Sequence, residues 1–293
     1  MPNWVTCRVI AKDFEELKKH LVNEKGEVDF NVAIPMPQDL HITSGSYSYE
    51  MPSKWLKPSE SQLKTLQKQK DCVDVLMLQV YNDTITQQEF FEEIMQREDI
   101  LKAIRSVKDW YTRKTKTKQY PIGKAALAEG YETYIKGFFN VQRYGERDWY
   151  EWSIQNWSTK WNASNGYVDD SAKCITFETA WSMPENVLKE VCKYTPLRVL
   201  YADEDIGANC GMEDYFVDEE GFPVYEKVME GSTELASEAW GYGHVDVYDE
   251  DGEWIEDEDN PKYKEANKNY FTVQEEINTL MNPACIEKDF AEV

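Results

Sequence analysis

The stretch AKCITFETAWSMPENVLKEVCKYTPLRVLYADED (residues 172–205) changes its hydrophobic period twice, and that change decides the fold. Cys174, Thr176 and Glu178 alternate with Ile175, Phe177 and Thr179, the period-two signature of a strand with one face buried. Pro184 then opens a helix that carries Val187, Leu188, Val191 and Cys192 on one side. LRVLYADED (197–205) is a strand again. A strand, a helix and a second strand in close succession make half of a split β-α-β arrangement.

Working outward, the first half of the arrangement lies at the N-terminus. TCRVIA (6–11) reads as a strand, and Asp13 caps a helix over 13–22 with Phe14, Leu17, Leu21 and Val22 at helical spacing. DFNVAIPMP (29–37) is expected to be extended, its prolines suiting a strand end. DWYEWSIQNWSTKW (148–161) holds four of the ten tryptophans and is expected to be largely extended, returning the chain to the sheet. Downstream come a hairpin-like segment (215–228), a short helical STELASEAW, an acidic loop and an amphipathic helix over 266–281. The expected fold class is α+β: a split ferredoxin-like antiparallel sheet with helices on one face. Residues 1–43 and 146–211 form its core, 44–145 a long helical insertion, and 212–293 an acidic C-terminal extension with a terminal helix.

The charge is concentrated. Residues 1–200 hold 28 acids and 27 bases, whereas 201–260 hold 21 acids against the single base Lys227, out of a net charge of −23. Such a section repels phosphate backbones and favours a partner with a basic surface, so neither direct nucleic-acid binding nor a membrane partner is expected. No apolar run approaches the ~20 residues that span a bilayer, and the N-terminus lacks a signal-peptide pattern. The six cysteines form no CxxC pair, which points to a reducing cytoplasm.

Catalytic patterns are missing from the sequence. The three histidines stand apart from one another and from any cysteine, and there is no GxSxG, GxGxxG or GxxxxGK[ST]. Asp203, Glu204, Asp205, Glu213 and Asp214 could chelate a cation, but the calcium-loop pattern fails at Gly207 and again at Val247. A solvated acidic face is the favoured reading, and no metal or cofactor is expected. The basic run RKTKTK (113–118) reads as a connector between helices that could also meet the acidic section of a second copy.

MPNW (1–4), IPMP (34–37), RDWYEWSIQNWSTKW (147–161), FETAWSMP (177–184) and YADEDIGANCG (201–211) together resemble the ferredoxin-like domain family typified by the plasmid protein YubB, found across plasmids and phages. The resemblance implies a mobile-element origin, which makes the expected cytoplasm that of the host cell, and it transfers no catalytic residue. It marks Trp4, Trp149, Trp152, Asn156, Trp157, Lys160, Trp161 and Trp181 as a structural motif, its rings packing the sheet against helices. It also suggests that Asp203 and Asp205 cap a strand end. In size and in lacking a catalytic constellation the chain is similar to phage anti-Gabija inhibitors.

The expected function is therefore non-enzymatic: inhibition of a host anti-phage defence complex of nuclease or helicase type by occlusion of its DNA-binding or nuclease surface. Asp218, Glu219, Glu220, Asp249, Glu250, Asp251, Glu256, Asp257, Glu258 and Asp259 are the expected contact residues. A homo-oligomer is expected, with Cys285 as a possible contact between copies. The alternatives are a nucleic-acid-processing accessory that binds single strands on an aromatic sheet face, and a metal-dependent enzyme using the 203–214 carboxylates.

Overall fold

The computed structural model describes residues 3–45, 133, 136–137, 140–141, 143–251, 254–255 and 259–291. The expected insertion over 44–145, the RKTKTK run and Glu256, Asp257 and Glu258 lie wholly or mostly outside those residues. By chain contacts there are two compact units, Met1–Met36 with Ser153–Val293, and Pro37–Trp152.

In the first unit, β1 (Trp4–Ala11) leads into α1 (Phe14–Leu21). The Asp13 carboxylate accepts from the backbone N–H groups of Glu15 and Glu16, as an N-cap does. Glu15 and Glu16 in the first turn and Lys18, Lys19 and His20 in the last complement the helix dipole, while Phe14, Leu17 and Leu21 are buried. Later come β2 (Ser164–Asp169), β3 (Cys174–Ala180), α4 (Glu185–Val191) and β4 (Leu197–Asp203), preceded by α2 (Phe30–Ala33) and by α3 (Trp149–Trp157), whose first turn belongs to the second unit. β5 (Cys210–Val217) and β6 (Pro223–Met229) follow, then α5 (Thr233–Trp240), α6 (Pro261–Leu280) and α7 (Pro283–Asp289). The sheet order is β2-β3-β1-β4-β5-β6, antiparallel throughout. β1, α1, β2, β3, α4 and β4 make the β-α-β-β-α-β order of a ferredoxin-like sheet, and the β5–β6 hairpin widens it by two strands. The 211/212 boundary expected from sequence falls inside β5, so the chain beyond residue 211 helps to build the sheet.

The Trp-rich segment corrects the expectation of extended structure, since Trp149–Trp157 is a helix. Trp152, Ser153 and Trp157 are buried, Trp149 and Asn156 half-buried, and Ile154 and Gln155 exposed. That is an i, i+3, i+4, i+7, i+8 stripe. Asp148 caps it by accepting from the Tyr150 N–H at 2.9 Å. DFNVAIPMP departs likewise: Asp29 caps the short α2, and the second strand of the fold is β2, in SNGYVD. β2 is an edge strand with exposed positions, so it carries no apolar alternation to read.

Both faces of the sheet are covered, against the expectation of helices on one. Val5, Cys7, Val9 and Ala11 share a face with Leu197, Tyr215 and Tyr225, where Lys189 of α4 sits 5.3 Å from the Tyr225 ring. On the other face Leu200, Ala202 and Met212 pack against Leu235, Ala236 and Ala239 of α5 and Ile277 of α6, and Ile10 packs against Ile286 and Phe290 at the C-terminus.

Asp29 ties α2 to the loop before β2. Its carboxylate accepts from Asn162 and Asn31 side-chain amides, both at 2.8 Å, and from the Asn31 N–H at 2.9 Å. Burial alone would raise its pKa, but these bonds together outweigh burial and hold it below the ordinary value. The native pKa being the lower one, the stabilisation is present above the unfolded value and lost as pH falls through the folded one. Asp29→Ala is expected to cost about 1–2 kcal/mol at pH 7 by urea denaturation, and the deficit should shrink in acid. A pH-independent deficit would count against the assignment.

In the second unit, Asp39 accepts from Arg143 at 3.0 Å and Tyr144 at 3.1 Å, and Asn140 donates to the Asp39 and Arg147 carbonyls.

Candidate partner-binding surface

Four of the resemblance residues, Trp4, Lys160, Trp161 and Trp181, gather at the sheet end where β1 begins and β3 and β4 finish. Trp4 lies 5.9 Å from Trp161, and the Lys160 ammonium sits between Trp161 and Trp181, 4.5 and 4.4 Å from their centroids. Asn3 donates to Asp205 at 2.7 Å and Asp203 at 3.4 Å, the Asp205 N–H donates to Asp203, and the Trp240 indole donates to the Asp203 carbonyl. Trp157 and Trp152 are 3% and 5% exposed, and the Trp157 indole N–H donates to the Ile34 carbonyl at 2.9 Å. Trp181 differs: it is exposed and left-handed, at φ 73°, a conformation that is rare for a bulky side chain.

The expected acidic contact residues divide by role. Asp218 is spent on the β5–β6 turn, accepting from the Glu220 and Phe222 N–H groups, which leaves Glu219 and Glu220 in solvent. Asp249 accepts from the Asp251 N–H, and Asp259 pairs with Lys264 at 2.7 Å. Glu250 and Asp251 are exposed. The structure does not bring the two groups together. Residues 218–220 sit beyond the far end of β5, whereas Tyr242 and Tyr248 line a cavity with Ile206, before its near end. The length of β5, about 23 Å, separates them.

The 203–214 carboxylates do not converge. Glu213 accepts from Tyr201 and Tyr215 on the α4 face, and burial foremost, with the Glu213 charge, raises both phenols' pKa values. Asp214 points to the opposite face and pairs with Arg198. Among the described residues no group of three or more His, Cys, Asp or Glu could hold a metal ion. The Cys285 thiol is half-buried in α7, 3.4 Å from Asp289. No helix among the described residues is long and apolar enough to cross a membrane.

Residues 156–240 match a family model described as "Ferredoxin-like domain in Api92-like protein". The match is to a ferredoxin-like domain, the fold that β1 to β4 build with α1 and α4. The match to the ferredoxin-like domain spans β2 to α5, including the β5–β6 hairpin, and leaves out β1, which the sheet nevertheless uses at its centre. Comparison with curated proteins and with solved structures finds no match.

What sequence reasoning missed is the apolar content of the acidic section. Eleven large hydrophobic side chains are exposed among the described residues, and six lie within 201–260: Ile206, Phe222, Tyr225, Tyr242, Tyr248 and Trp254. Their sequence signal is an aromatic residue spaced among carboxylates, as in DVYDEDGEW (246–254).

Proposed function

We propose that the chain is a non-enzymatic binding protein that occupies the basic, nucleic-acid-binding surface of a host defence complex of nuclease or helicase type. The observation that carries this reading is the exposure of those six apolar side chains among carboxylates. A merely solvated acidic face has no need of exposed rings. Aromatic anchors within a charged surround are how protein interfaces concentrate binding energy. The carboxylates steer a basic partner to the surface, and the rings supply desolvated contact and cation–π faces for its arginines. The single-strand accessory reading is less favoured, because α5, α6 and α7 cover the sheet face opposite α4 at β1, β4 and β5.

Capture of the tagged chain's partners from host lysate at low and high salt, followed by native mass measurement, tests the reading. A stoichiometric nuclease or helicase should be recovered, released by salt, and its DNA binding should fall as the chain is added back. Glu219→Lys with Glu220→Lys, and Glu250→Lys with Asp251→Lys, are expected to slow association roughly tenfold at low salt. A captured partner that keeps full DNA binding, or nucleic acid recovered alone, sinks the proposal.

A further inference from the structure

One cavity in the acidic section has walls of a different chemistry from its surroundings. It measures about 380 Å³, and its lining includes Ile206, Ser237, Tyr242, His244, Asp246 and Tyr248. Tyr242 is set by the end of α5, where Gly241 at φ 75° closes the helix. The Gly241 N–H donates to the Glu238 carbonyl and the Tyr242 N–H to the Ser237 carbonyl, both at 3.0 Å. Gly243 at φ 77° turns the chain again, so the ring stands between two left-handed glycines. Tyr248 faces the same space from the short bridge it makes with Trp254. Both rings are about half exposed, Tyr242 at 52% and Tyr248 at 57%.

The floor is polar. Ser237 is 2% exposed and is one of the residues that line the cavity. Asp246 contributes a carboxylate, with His244 Nε2 at 3.2 Å from one of its oxygens. Beyond the lining, Ile206 follows Glu204 and Asp205 in the chain, and Tyr248 precedes Asp249, Glu250 and Asp251, so two of the lining segments are rich in carboxylates.

We infer that this cavity is a receptor for an arginine side chain projected by the basic partner. The inference rests on the function proposed above and names the anchor within it. A guanidinium is planar and weakly hydrated, so it stacks on an aromatic face and offers a fork of N–H donors to oxygens beneath. Tyr242 and Tyr248 supply the faces, and Asp246 and the Ser237 hydroxyl supply acceptors. A lysine ammonium would keep its charge here but lose the planar stacking.

Titration of the full chain with the peptide acetyl-Gly-Arg-Gly-amide, and with its citrulline counterpart, tests the inference by backbone amide NMR. The arginine peptide should shift the resonances of Ser237, Tyr242, His244 and Tyr248 saturably, and citrulline, which keeps the shape without the charge, should bind about tenfold more weakly. Asp246→Asn and Tyr248→Ala should each abolish the saturable shift, and Tyr248→Phe should keep it, which separates loss of the ring from loss of the fold. Equal response to both peptides, no response, or shifts spread evenly over all exposed carboxylates would overturn the inference. The same variants in the capture experiment separate the two readings. If Tyr248→Ala captures the complex as well as the parent, the receptor falls and the function stands. If the parent captures no complex, the function itself falls.

Discussion

Asp214→Ala is expected to cost about 3–5 kcal/mol of folding stability, lowering the melting temperature by roughly 10 °C. Arg198 on β4 and Asp214 on β5 are directly paired in register, and their side chains are 3% and 12% exposed. The pair is bidentate, with Nε at 2.6 Å and Nη2 at 2.7 Å from the two carboxylate oxygens. Arg198 also donates to the Leu280 carbonyl and to Asp289, both at 2.9 Å, which fastens the end of α6 and α7 to the sheet. Burial by itself would depress the guanidinium's pKa, but the carboxylates more than offset it and keep the charge fixed. Alanine at 214 therefore leaves a buried cation without its main partner. The same accounting predicts that Arg198→Met with Asp214→Leu recovers most of the loss, since a packed apolar pair avoids desolvation altogether. A single variant that loses less than about 1 kcal/mol would mean that water reaches the pair. Arg198 also holds the Asp289 carboxyl below its ordinary value, through a hydrogen bond foremost. That contribution is present above the unfolded carboxylate pKa and is lost as pH falls through the folded one.

Trp157→Ala is expected to cost about 3–5 kcal/mol, the range for emptying a large aromatic from a packed interior. The ring is edge-on to Phe30 at 5.8 Å, Phe30 is edge-on to Phe177 of β3 at 5.6 Å, and the indole N–H is bonded to the Ile34 carbonyl. Removal opens a cavity and orphans a carbonyl together. Trp157→Phe keeps most of the volume and should cost nearer 1–2 kcal/mol, chiefly the lost hydrogen bond. Trp181→Gly is the informative contrast: the ring is exposed and the backbone left-handed, so stability should stay within about 1 kcal/mol of the parent. Urea denaturation of the three variants tells packing from surface. A stable, fully folded Trp157→Ala would refute the packing role and return the Trp-rich helix to the candidate binding surface.

Much of the fold was legible because its elements carry strong periods. β3 and α4 each bury the side that their spacing predicts, β4 is the strand expected over 197–205 and is buried on both faces, and Asp13 caps α1 through the hydrogen bonds expected of an N-cap. Aromatic richness was the misleading signal in 148–161. Tryptophan favours strands in general, yet Trp149, Trp152, Ser153, Asn156 and Trp157 recur at helical spacing and Asp148 caps them, so spacing and capping outweigh propensity. β2 was illegible for the opposite reason: an edge strand open to solvent has little to bury and hence no pattern.

The candidate surface divides the same way. The concentration of charge in 201–260 and the α+β class follow from the amino-acid order alone, because charge and period are local properties of the chain. Packing alone settles which carboxylates are committed to turns and ion pairs, that the hairpin tip and the 246–251 loop stand apart at opposite ends of β5, and that Tyr242, Tyr248 and Ser237 line one cavity. Those facts depend on contacts between residues distant in the chain, where burial and hydrogen-bond satisfaction are settled by packing and leave no trace in spacing.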